Sequence, residues 1–128
     1  MSFRHTLFSK SITMTQNSKQ KMKETVDQYY LGNFQFILDH VTEDINWISH
    51  KMSNVQIKNK KELQHFFENV PVGCFTFEHT RSIIADNNVV VEGICRYANK
   101  DGKQIESFFC DIFTFRFGKI EKVSSYFV

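Results

Sequence analysis

The chain has 128 residues, 41% hydrophobic, 15% aromatic and 23% charged, enough for one domain with an ordinary core and too short for two. Its net charge of +2 is uneven: Met1 to Lys23 carries Arg4, Lys10, Lys19, Lys21 and Lys23 without one acidic residue, and the remainder is net acidic. A mildly acidic domain argues against nucleic acid as a partner, and no stretch has the apolar length of a membrane span.

The first residues, MSFRHTLFSKSITMTQ, are basic, rich in Ser and Thr and free of acids, as organelle transit peptides are. The simpler reading is a disordered basic tail over residues 1–18, with Met14 as an alternative start, ahead of a single domain over 19–128. Lys19 to Leu31 then sets Met22, Val26, Tyr29 and Tyr30 at helical spacing, and Gly32 with Asn33 stops that helix. Phe34 to His40 is a second, shorter helix carrying Phe34, Ile37 and Leu38 on one side. Thr42 to His50 alternates as a strand, with Ile45, Trp47 and Ser49 on one face and Asn46, Ile48 and His50 on the other.

Asn59 reads as the N-cap of KKELQHFFENV, whose stripe is Leu63, Phe66, Phe67 and Val70, and Pro71 with Gly73 ends it. The nearby Lys58, Lys60 and Lys61 read as a solvated helix start. Four strands follow, Cys74 to Ala85, Val89 to Asn99, Lys103 to Phe117 and Lys119 to Val128, separated by breaks too short for anything but antiparallel hairpins. The fold class is therefore α+β, with the helices on one face of a bent sheet. Three cysteines, Cys74, Cys95 and Cys110, with no CxxC spacing, point away from a disulfide framework or a zinc site and toward a reducing cytoplasm. No metal-ligand spacing or nucleotide-binding glycine motif is present, so no cofactor is implied.

Four local patterns, in order, resemble the SnoaL-like polyketide cyclase and ketosteroid isomerase group of the nuclear transport factor two-like cone fold. They are the Tyr-containing end of the first helix, TEDINWISH, NKKELQHFFENV and FCDIFTFRFGKIEKVSSYFV. The resemblance covers residues 19–128. It implies a cone-shaped, mixed or antiparallel bent sheet wrapped around N-terminal helices, as in cystatin-like and SnoaL-like folds, with a pocket on the concave side and a homodimer through the outer sheet face. Because this fold hosts isomerases, cyclases, lyases and proteins without chemistry, it fixes function far less than it fixes architecture.

Alternation places Phe109, Asp111, Phe113 and Phe115 on one face of their strand if Asp111 points inward, and Cys110, Ile112, Thr114 and Arg116 on the other. Trp47, Ser49, Val123, Ser125 and Phe127, with Gly93 and Cys95, are the further pocket candidates. Phe109, Phe113, Phe115 and Phe127, four of the 14 Phe residues, thus acquire a place around one carboxyl group. Burial among rings would raise the Asp111 pKa, unless Arg96 shares its face and pairs with it. The resemblance aligns Asp111 and Tyr29 with the Asp and Tyr that hold an enolate oxygen in ketosteroid isomerases.

The isomerase's base position is Ser49 here, and serine alone is no base near neutral pH. His50, which alternation turns to the opposite face, and His79 on a later strand are the candidates left. The site set is then Asp111, Tyr29 and His50 or His79 for catalysis, and Trp47, Ser49, Phe109, Phe113 and Phe127 for an apolar small molecule. Two functions stay open: a cofactor-independent isomerase, cyclase or lyase, and a non-catalytic ligand-binding or dimerisation module. They differ in whether Phe77, Phe109, Phe113 and Phe127 stand around a cavity or fill the cone. Outward Phe108, Cys110 and Ile112 make the outer face apolar enough for a homodimer.

Overall fold

A computed structural model describes the backbone of residues 2–50, 55–70 and 75–128, with side chains from Gln16 onward within those spans. The described residues form helix α1 (Ser2–Tyr30), helix α2 (Phe34–Leu38), strand β1 (Val41–His50), strand β2 (Gln56–Ile57), helix α3 (Lys60–Glu68), and strands β3 (Phe75–Ala85), β4 (Asn88–Ala98), β5 (Gln104–Arg116) and β6 (Lys119–Phe127). The expected stop of α3 at Pro71 and Gly73 and the strand start at Cys74 lie outside the described residues.

The helix expected from Lys19 is helical from Ser2, where a disordered segment was expected. No Gly or Pro interrupts residues 2–31, so nothing in the chain forces a later start. Its other end is sharply built: Gly32 adopts φ +81°, Asn33 N–H donates to Gln28 C=O at 3.0 Å and Gly32 N–H donates to Tyr29 C=O at 3.0 Å. This Schellman cap fixes the last turn, and with it Tyr29 and Tyr30, before the chain turns into α2.

The six strands lie in the order β2-β1-β6-β5-β4-β3. β3 to β6 form the expected antiparallel meander, and β1 joins it in parallel alongside β6. β2 is two residues long, too short for any periodicity to reveal, and caps the β1 edge. Met22 and Val26 of α1, Ile37 and Leu38 of α2, and Leu63 and Phe67 of α3 share one core with the inward residues of β1, β4, β5 and β6, so all three helices pack on the same sheet face. Asn59 caps α3 as expected: its side chain accepts from Glu62 N–H at 2.8 Å, while Glu62 reaches back to Lys58 N–H at 3.1 Å. Phe66 of the expected stripe is exposed, because Leu63 and Phe67 alone fill the gap over the sheet.

Candidate functional site

β5 alternates as its sequence requires. Phe109, Asp111, Phe113 and Phe115 are buried toward the helices, and Cys110, Ile112 and Thr114 face out. β4 presents Val89, Val91, Gly93 and Cys95 to the same interior, and β6 presents Val123 and Ser125. Phe127 packs against the core edge without being fully buried.

Asp111 is 4% exposed. The Tyr30 hydroxyl donates to its Oδ2 at 2.5 Å, while Oδ1 is buried without a hydrogen-bond partner. Ser125 stands directly across the β5–β6 ladder. Desolvation pushes the carboxyl up to about 6, against the opposing pull of the Tyr30 and Ser125 hydroxyls, which favour the charged form. Arg96 does not intervene. On the opposite face its guanidinium pairs with Glu78 at 2.8 Å and Glu106 at 2.9 Å, so the pairing with Asp111 left open by the sequence is absent.

The tyrosine at Asp111 is Tyr30, one residue beyond the Tyr29 expected. Tyr29 faces Trp47 at 5.1 Å between ring centroids, Phe34 at 6.3 Å and Phe113 at 5.9 Å, as a core ring. Burial and then the nearby Asp111 charge raise the pKa of both phenols, so both are protonated donors near neutral pH. Lys23 and Asp27 form an ion pair on α1, and both charges are felt by His79 of β3.

His50 points away from this interior. Its imidazole is exposed and stacks on Tyr126 of β6 at 4.4 Å and 3°. The strand reaches His50 without reversing its alternation, so the geometry gives it no path to Asp111. Ser49 is partly buried, and its N–H is held by Val55 C=O at 3.0 Å. His79 is exposed at the rim and meets the Tyr30 ring edge-on at 4.4 Å, with Phe109 at 6.4 Å. Partial burial and then the Lys23 charge lower its pKa, which leaves it neutral at neutral pH.

The interior around Asp111 is occupied by side chains. Tyr30 contacts Phe77 at 5.3 Å, Phe109 at 5.9 Å and Phe113 at 6.1 Å, and Phe77 meets Phe109 at 5.5 Å. A surface cavity of about 840 Å³ lies between α1, α2 and the β3–β4 and β5–β6 turns, lined by Met22, Phe36, His40, Phe115 and Phe117 among others. Among the described residues no group of three or more His, Cys, Asp or Glu side chains is placed to hold a metal ion, and no helix is long and apolar enough to cross a membrane.

A family model for the SnoaL-like domain matches residues 23–123. A search of curated proteins found no match. Similar solved structures include a protein of unknown function from Cytophaga hutchinsonii described as NTF2-like, with TM-score 0.76, 22% identity, and coverage of 86% of this chain and 98% of that one. Another is a proposed SnoaL-like polyketide cyclase from Jannaschia sp. CCS1, with TM-score 0.73, 15% identity, and coverage of 85% and 86%. TerC, co-crystallised with polyporic acid, has TM-score 0.72, 19% identity, and coverage of 84% and 92%. At these identities the likeness is one of fold, the six-stranded bent sheet with its helices on the concave side.

Proposed function

The chain belongs to the SnoaL-like domain family, and on that premise we propose that it binds a small apolar molecule carrying one oxygen function, held by Asp111 and Tyr30 inside the concave face. The observation that carries the reading is the Asp111 carboxyl. It is buried among Phe109, Phe113 and Tyr30, no cation pairs with it, and its Oδ1 makes no hydrogen bond of ordinary geometry even with the Ser125 hydroxyl across the ladder. Leaving a buried polar atom unpaired costs about 1–3 kcal/mol, and a ligand oxygen at that atom removes the cost.

With the Tyr30 phenol donating to Oδ2, Asp111 protonated below about pH 6 would favour negative charge developing on a ligand oxygen at Oδ1, as in an enolate. His79 is then the base, neutral at the rim, in place of His50. The chemistry this supports is proton transfer beside a carbonyl, the shared step of cofactor-independent isomerases, cyclases and lyases. TerC lends support only in that a protein of this fold was crystallised with an organic acid.

The test uses Trp47, the one tryptophan of the chain, whose ring contacts Tyr29, Phe67 and Phe113. Titration with 2-naphthol is expected to change its emission saturably, with naphthalene binding about fivefold more weakly for want of one hydrogen bond. Asp111→Leu should erase that preference. Failure of 2-naphthol to bind, or naphthalene binding as tightly, sinks this reading.

A second reading, assembly without chemistry, is favoured by the filled interior and by an outer sheet face that leaves Phe108 61% and Tyr126 42% exposed beside Ile112. Its occupant is a second copy of this chain.

A further inference from the structure

Two neighbouring hairpin turns carry different residues at the same backbone position. Phe117 stands first in the β5–β6 turn, at φ +51°, and Asp86 stands first in the β3–β4 turn, at φ +53°. The two turns are held together by Phe115 N–H, which donates to Asn87 C=O at 2.8 Å. Such a position favours Gly, Asn or Asp, because a Cβ crowds the backbone there and a short polar side chain compensates locally. Asp86 follows that preference and Phe117 breaks it. The Phe117 ring is also 98% exposed, so no packing against the described residues offsets its strain.

That ring stands at the rim of the cavity of about 840 Å³, a size typical of small-molecule sites. Buried Met22 and Phe115 form the apolar floor. On one wall Phe36 and His40 stack with centroids 4.0 Å apart and planes 11° from parallel. His40 Nδ1–H donates to Phe36 C=O at 2.7 Å; a carbonyl only accepts, so in the neutral imidazole Nε2, on the ring edge turned away from α2, is a free acceptor. Ile120 N–H donates to His40 C=O at 2.8 Å, which fixes the stack beside the turn that carries Phe117. The charges around the cavity balance, with Lys19, Lys21 and Arg116 against Glu24, Asp86 and Glu121.

We infer that this cavity is a second binding site, for a neutral, flat aromatic molecule bearing one N–H or O–H donor. The molecule lies against the Phe36–His40 stack, donates to His40 Nε2 and is covered by Phe117, whose burial then offsets the strain of its turn. The site shares neither Asp111 nor Tyr30 nor His79 with the interior, so it does not depend on the function proposed above.

The probes are indole and 1-methylindole, which lacks the N–H, titrated into the full chain and followed by amide NMR. Indole should shift the Gly118 and Asn87 amides saturably, with 1-methylindole binding about fivefold more weakly. His40→Phe keeps an aromatic ring on Phe36 and loses the acceptor, so it should bind the two probes alike. Phe117→Asn should act in two opposite directions: indole binds about tenfold more weakly, while the urea midpoint of unfolding rises by about 0.5 M as the turn loses its strain. The Ser125 amide, across the ladder from Asp111, reports the interior separately, which keeps failure here distinct from failure at Asp111. Gly118 and Asn87 amides that do not move with indole overturn the inference, as does a Phe117→Asn protein that binds indole unchanged. A Phe117→Asn protein that keeps indole binding but loses mass in light scattering would instead assign the ring to a contact between copies.

Discussion

A carboxyl enclosed by Phe109, Phe113 and the Tyr30 ring gives up its proton less readily than an exposed one, and this has a sign that stability measurements can read. Asp111 titrates at about 6 in the folded protein, against about 3.9 for an unfolded Asp. The folded state therefore holds the proton more tightly. The stabilisation is complete below the unfolded value and is lost as pH rises through the folded one. A difference of about two pKa units corresponds to about 3 kcal/mol. Urea unfolding of the unmodified protein should lose about that much stability between about pH 4 and pH 7 relative to Asp111→Asn, which has no proton to lose. A constant difference between the two proteins across that range would mean that Asp111 is not raised.

The same residue shows what the sequence made legible. Period-two alternation in β5 sufficed to place Asp111 among its phenylalanines, because a strand offers only two faces. Tyr29 against Tyr30 was harder. Adjacent helical residues differ by about 100° of rotation, and both side chains lie within the apolar arc that the interior accepts. His50 and His79 both follow strict alternation: His50 goes to the outer face, and His79, two residues after Phe77 and ahead of the register shift in β3, goes to the inner one.

That irregularity belongs to β3 as an element. Its ladder with β4 shifts register between His79 and Arg81, and Gly93 stands opposite His79. A Cβ built at Gly93 would lie 2.1 Å from the Glu78 carbonyl oxygen and 3.1 Å from His79 Cα. Two backbones approach here as only glycine allows, and the approach settles His79 against the Tyr30 ring. Gly93→Ala must push β3 outward. We expect a loss of about 2–3 kcal/mol by chemical denaturation, together with weaker 2-naphthol binding as Phe77 and His79 withdraw. Unchanged stability would show that β3 has room to yield.

The helix start at Asn59 is a milder case. Asn59→Ala removes one cap hydrogen bond and should cost about 1 kcal/mol without affecting ligand binding, because α3 contributes Leu63 and Phe67 to the core and nothing to Asp111. Loss of binding in that variant would place α3 nearer the site than the structure does. Both elements show which signals carry over from sequence. Capping chemistry is local and was readable, whereas the close approach at Gly93 depends on a partner strand and was not.

At the scale of the whole molecule, the helices cover one face of the sheet and leave the other bare. One row across that bare face runs His50, Tyr126, Cys110, Glu92 and Arg81, with Arg81 paired to Glu92 at 2.8 Å and His50 stacked on Tyr126. The neighbouring row, Ile48, Ser124, Ile112, Val90 and Ile83, is largely apolar. A twofold axis through β5 would lay the apolar rows of two copies against each other and set each Arg81–Glu92 pair over the other copy's Tyr126–His50 stack, where the guanidinium meets an aromatic face. The ion pair and the aromatic stack thus meet under that one rotation, which favours a second copy over an unrelated partner.

Light scattering coupled to size exclusion at about 50 micromolar should then give twice the 15.1 kDa of one chain. Ile112→Lys, which brings two ammonium groups together near the axis without touching the concave interior, should give a single-chain mass while 2-naphthol binding persists. A monomer from the unmodified protein at that concentration would remove the dimer and leave the bare face unexplained. A dimer that survives Ile112→Lys would move the axis away from β5.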